Sequence, residues 1–186
     1  MPPIKKPTPT LKGLFVNSHI NRLREKKGEE AVKELERRYG SRVVFKNLEE
    51  IPVREEVRII ELCLALSNPA AAAAPDATEL AGRLHYENFS QTGLGQVLLS
   101  SMPHTPQGFK TLVLNSGSIG RSVFKHTNFS TTENNGTLVV TMENTDYPLK
   151  HFEGFFSAWA EQYGLQPGSV SSKAEGTTHR YTISGF

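Results

Sequence analysis

The chain has 186 residues, 37% of them hydrophobic, with 21 Lys and Arg against 19 Asp and Glu for a net charge of +2. That length makes about one domain, able to bury roughly two-thirds of its unfolded surface. Charges of both signs are interspersed, so the pI near 8.7 marks no basic tract, and nucleic acid is not expected as a partner.

The lone cysteine, Cys63, excludes an intrachain disulfide framework. It sits in the apolar run "IIELCLAL" and reads as a small core residue in a reducing compartment. The start "MPPIKKPTPTLKG" lacks the apolar stretch of a secretory signal, and no run reaches the roughly 18 apolar residues of a spanning helix. The expectation is a cytoplasmic protein with no membrane span. The sequons at Asn88, Asn128 and Asn135 would matter only in a secreted glycoprotein.

Residues 1–10 are Pro-rich and predict a flexible start; one α+β domain is expected over 11–186. "VNSHINRLREKK" predicts a helix with Asn17 or Ser18 as N-cap and Gly28 as its break. "EEAVKELERRYG" predicts a second, with Ala31, Val32, Leu35 and Tyr39 as its buried stripe and Gly40 just past its end. A third follows Pro52 in "PVREEVRIIELCLALSN" and stops at Asn68-Pro69. "PAAAAAP" is a connection or short helical extension. A longer helical region is expected from Asp76 to Met102, kinked near Gly93 and Gly95, and then two short helices meet at Asn115-Ser116-Gly117.

The pattern changes after Phe124. Asn135-Gly136 lies between two apolar-alternating runs and supplies the positive φ angles of a type I′ hairpin turn. A helix follows, with Asp146 expected to cap it. A second hairpin is expected near Glu175-Gly176. The predicted fold class is α+β: an antiparallel sheet of about four strands, built from two hairpins, packed against several helices, with a helix-rich N-terminal half.

The helix between the hairpins carries Phe152, Phe155, Phe156, Trp159 and Tyr163 at spacings of three, one, three and four. They share one face, which must cover the sheet or line a cavity beneath it. Gly154 within that helix implies close approach by a neighbouring element.

Other motifs fail. Six histidines are scattered, and none forms H-E-x-x-H or a Cys/His zinc spacing, so neither metal nor cofactor is expected. His126, beside Phe124 and Phe129, is the one candidate for an axial haem ligand. Gly93-Leu94-Gly95 lacks the third glycine of a dinucleotide fingerprint, and Gly117–Gly120 lacks the surroundings of a KH loop. No catalytic residue can be named: Cys63 is too apolar in setting for a nucleophile, and Glu143 with Asp146 makes no convincing pair.

Four stretches, "LKGLFVNSHI", "PVREEVRIIEL", "GRLHYENFSQTGLGQVLLS" and "MENTDYPLKHFEGFFSAW", with a terminal "YTISGF", resemble a myxobacterial paralogous family of uncharacterised proteins of comparable length. That family is distantly similar to 4-vinyl reductase-like domains and TRAPP-type tethering subunits, whose shared fold is associated with haem-linked nitric oxide signalling and Golgi transport. The resemblance implies an antiparallel sheet packed on helices, an apolar cavity between them, and dimerisation through helices. It carries no catalytic motif.

Together these readings predict a non-enzymatic cytoplasmic sensor or adaptor that binds a small apolar ligand and signals to a protein partner. Its candidate pocket residues are Tyr86, Phe89, Phe155, Phe156 and Trp159. The alternative is a ligand-free interaction module acting as a homodimer or in a larger assembly, whose discriminating feature is an exposed apolar patch on a helix such as "VRIIELCLAL". The second alternative is a haem-binding sensor using His126.

Overall fold

A computed structural model describes residues 6–186. Helices α1 (Gly13–Lys27) and α2 (Glu29–Tyr39) break at Gly28, and α2 ends on a left-handed Gly40. The expected N-cap at Asn17 or Ser18 is corrected: α1 begins at Gly13, straight out of a strand. Asn17 lies inside the helix and donates its amide to the Phe45 carbonyl at 2.8 Å.

Helix α3 (Val53–Ser67) starts after Pro52, and Asn68 then caps the short α4 (Pro69–Ala72) by accepting the Ala71 N–H. The apolar excess of α3 is absorbed on two sides. Val57, Ile59 and Cys63 join the main core, while Ile60 and Leu64 pack against Ala81. The exposed apolar patch that would mark an interaction module is not found on this helix.

The expected long helix over 76–102 is two helices, α5 (Ala77–Ser90) and α6 (Gly93–Ser100). Thr92 between them is extended, and its hydroxyl accepts the Gly95 N–H at 3.0 Å, which starts a new helix in place of a kink. Thr105 opens α7 (Pro106–Leu114) in the same way through Gly108. Asn115 separates α7 from α8 (Ser116–Val123). Thr92→Ala leaves one helix-start N–H without its acceptor and is expected to cost about 1 kcal/mol. A lowered urea midpoint at unchanged m would show it.

Two sheets form. The smaller, not expected from the sequence, places β1 (Thr10–Lys12) between β2 (Glu50–Pro52) and β3 (Phe124–Lys125). Leu11 faces both Ile51 and Phe124 in register. Strands this short show no alternation in sequence, but the pairing ties the starts of α1 and α3 to the end of α8. Of the segment expected to be loose, residues 1–5 lie outside the described residues. Pro9 is buried, and its carbonyl accepts the Val53 N–H.

The larger sheet is the expected pair of hairpins: β4 (Asn128–Asn134) with β5 (Thr137–Glu143), and β6 (Val170–Glu175) with β7 (Thr178–Ile183), all antiparallel in the order β4-β5-β7-β6. Asn135 and Gly136 have φ of 49° and 77°, as a type I′ turn demands. Leu138, Val140, Met142, Tyr181 and Ile183 are buried on one face. Helix α9 (Leu149–Gln162) covers that face, with the Phe156 ring 5.3 Å from the Tyr181 ring. Asp146 does not cap α9; it is exposed, and Pro148 holds the N-cap position. Helix α5 packs against α9 as well, so nearly every α9 residue from His151 to Ala160 is buried. Among the described residues, no helix is long and apolar enough to cross a membrane.

Candidate functional site

Helices α1, α3, α5 and α9 each carry a polar residue on an apolar stripe. His19 falls in phase with Phe15, Val16 and Leu23 on α1, and Glu56 with Val53, Ile60 and Cys63 on α3. His85 is in phase with Ala81 and Phe89 on α5, and His151 with Phe155 and Trp159 on α9. A side chain at those phases must point inward. The four therefore meet in the interior, where Glu56 has 0% exposure and His19 1%.

Glu56 is the hub. Its Oε1 lies 3.1 Å from His19 Nε2 and 3.8 Å from His85 Nε2, and its Oε2 accepts the Tyr147 hydroxyl. On the outside, the Asn88 side-chain amide is 3.0 Å from His19 Nδ1, and His151 Nε2 is 3.0 Å from His85 Nδ1. Burial pushes His151 down to about 3 and His85 well below the usual imidazole range, helped in both by the neighbouring His19. Both rings are therefore neutral near pH 7. Burial and the Glu56 carboxylate hold the Tyr147 phenol well above its ordinary range, so it stays a hydrogen-bond donor.

Glu56, His85 and Ser116 are the polar residues lining an otherwise apolar cavity of about 60 Å³. Its other walls are Phe89 of α5; Phe152, Phe155, Phe156 and Trp159 of α9; Ile119, Gly120 and Val123 of α8; and Phe15, Phe124 and Phe129. Four of the five residues proposed from sequence line it. Tyr86 does not: it is buried behind the wall, its hydroxyl donating to Gln162 Oε1 and its ring 5.4 Å from Phe155.

His126 is corrected as a haem-ligand candidate. It is exposed at a turn with φ of 68° and is not on the cavity wall. His104 packs on the Tyr163 ring, and His179 contacts the Tyr181 hydroxyl at 3.3 Å. The His–Glu–Tyr cluster is the feature that motif spacing missed, because His19, Glu56, His85 and His151 lie on four separate helices and Tyr147 on the loop before α9. The legible signal was a His or Glu standing in phase with an apolar stripe.

The fold resembles solved H-NOX domains. One is an oxygen-binding H-NOX domain related to soluble guanylate cyclases in its oxygen complex, at 13% identity and TM-score 0.63 over 93% of both chains. Another is a T. Tengcongensis H-NOX mutant, at 14% identity and TM-score 0.61 over 93% of this chain and 95% of that one. A third comes from work on modulating heme redox potential through protein-induced porphyrin distortion, at 13% identity and TM-score 0.63 over 93% of both. These replace the 4-vinyl reductase-like and TRAPP-type domains that the sequence resemblance implied. No curated protein matches the sequence. Residues 6–184 fit one family model throughout, and the chain belongs to the family described as Protein of unknown function (DUF2378).

Proposed function

We propose that this chain is a non-enzymatic sensor domain whose cavity takes an apolar molecule of diatomic or xenon size and reports its occupancy to a protein partner. The carrying observation is the aromatic-lined cavity of about 60 Å³ with Glu56 and His85 among its lining residues. A cavity near 150 Å³ holds benzene, so the occupant here is smaller. The likeness to an oxygen-binding domain supports the same reading. Helix α8 is the wall suited to relay occupancy: it has eight residues, and its outer positions Ser118, Arg121 and Ser122 are exposed.

Haem is the group the H-NOX likeness brings with it. The walls as they stand do not fit a porphyrin, since pockets for cofactor-sized ligands span roughly 300–1,000 Å³. The histidine on the wall, His85, turns its Nε2 toward Glu56 Oε1 at 3.8 Å and not into the open cavity. Haem nevertheless names the second reading, and a hemin titration that produced a stoichiometric Soret band would put it first.

The test is xenon under pressure, followed by amide and methyl chemical shifts of the labelled protein. Saturable shifts are expected at Phe89, Ile119, Val123 and Phe155. The variant Ile119→Phe, which fills the cavity from α8, should abolish them while the fold persists. Shifts that survive in Ile119→Phe, or that scatter over the surface, would sink the proposal.

A further inference from the structure

We infer that His19, Glu56 and His85 form a binding site for a divalent transition-metal ion of the zinc or iron(II) type, with an open coordination position facing the apolar cavity. The site is independent of whether the cavity takes a ligand of its own.

The donor atoms carry the case. His19 Nε2, Glu56 Oε1 and His85 Nε2 all lie within 4.8 Å of one another, with separations to the carboxylate oxygen of 3.1 and 3.8 Å. Metal bonds of about 2.0–2.2 Å set neighbouring donors roughly 3–3.6 Å apart, so small side-chain shifts close the set. Two imidazoles and one carboxylate suit borderline ions; calcium and magnesium prefer more oxygen ligands.

Each donor also has its own outer partner, as metal ligands do. Asn88 holds the far nitrogen of His19, His151 that of His85, and Tyr147 the second oxygen of Glu56. Asn88 is assigned with its nitrogen toward His19, but the two ends of an amide are interchangeable in such an assignment. With the oxygen end inward, it accepts from Nδ1–H and leaves the Nε2 lone pair facing Glu56. In the same way, His85 Nδ1–H donating to His151 leaves its Nε2 lone pair facing Glu56. Two lone pairs and a carboxylate oxygen then converge, and a cation between them relieves the repulsion.

Charge argues in the same direction. A fully buried carboxylate requires a compensating cation or several hydrogen bonds. Among the described residues, no Lys or Arg pairs with Glu56; the basic groups beside it are the imidazoles of His19 and His85, which carry charge only when protonated. Three donors leave a fourth position free. Since Glu56 and His85 line the cavity while His19 does not, that position opens onto the cavity.

The test uses tag-free, full-length protein stripped with a chelator and titrated with Co²⁺, whose visible bands report its coordination. Saturation at one equivalent per chain, with Zn²⁺ displacing the bands, is the expected result. Glu56→Gln, nearly isosteric and still able to bond Tyr147, should abolish the bands. His151→Phe, which removes only an outer partner, should weaken binding about 10- to 100-fold. His126→Ala on the surface should change nothing. Absence of Co²⁺ bands in folded wild-type protein, or bands kept in Glu56→Gln and lost in His126→Ala, would overturn the site and leave the cluster a plain hydrogen-bonded network.

Discussion

Gly82→Ala should destabilise the protein by more than about 3 kcal/mol, the upper range for an overpacked core. A Cβ at residue 82 of α5 would lie 1.7 Å from the His151 carbonyl oxygen of α9 and 3.0 Å from the Phe155 nitrogen. The reciprocal contact is as tight: a Cβ at Gly154 would lie 2.0 Å from the Glu79 carbonyl oxygen. Both obstacles are helix backbone, which cannot rotate aside as a side chain does. The two helices must separate, and α9 is pinned on its other side by the sheet. That separation also pulls His85 from His151 and opens the cavity wall. Gly154→Ala should cost a similar amount. The double variant should cost less than the sum, because one separation accommodates both methyl groups. Gly93→Ala, where a Cβ meets nothing within 4 Å, is the control and should stay within about 0.5 kcal/mol of wild type. Urea titrations followed by circular dichroism measure all four.

Trp159→Ala should cost about 3–5 kcal/mol, the range for deleting a buried aromatic. Trp159 is 5% exposed and lies edge-on to Phe109 at 5.2 Å and stacked near Phe156 and Tyr86 at 6.3 Å each. Among the described residues, its buried indole N–H has no hydrogen-bond partner. Trp159→Phe keeps the ring contacts and removes that unmet donor, so its cost should be under about 1.5 kcal/mol. The truncation also has a binding readout. Trp159 is a cavity wall, so the Ala variant should admit benzene, which the cavity of about 60 Å³ excludes. Benzene should then raise the variant's melting temperature and leave that of wild type unchanged. Equal losses for Phe and Ala would show that the indole nitrogen has a partner after all.

The hairpins were the most legible part of the fold. The strands of β4, β5, β6 and β7 are six or seven residues long, and Asn135-Gly136 imposes its own turn geometry. The break at Gly28, the end of α2 and the start of α3 were likewise set by glycine and proline. Thr92 was less visible, because a single capping threonine inside an apolar region competes with a continuous helical pattern. Gly154 signals a close approach in the sequence, but the Glu79 carbonyl it meets lies seventy-five residues away, beyond the reach of any local pattern.

The sequence by itself determined most helices, the two hairpins and which faces are apolar, because periodicity, caps and turns act over a few residues; the short strands β1, β2 and β3 leave no such mark. It also marked Phe89, Phe155, Phe156 and Trp159 as one aromatic surface. It could not separate a wall residue from one behind the wall, and so Tyr86 was grouped with them. Only the tertiary structure decided that His19, Glu56, His85, Tyr147 and His151 share one interior point. The three histidines and Glu56 are polar residues on apolar stripes of four different helices, and Tyr147 reaches them from the loop before α9. Their meeting depends on how α1, α3, α5 and α9 cross, and crossing geometry is set by backbone contacts such as Gly82 on His151, which no local pattern encodes.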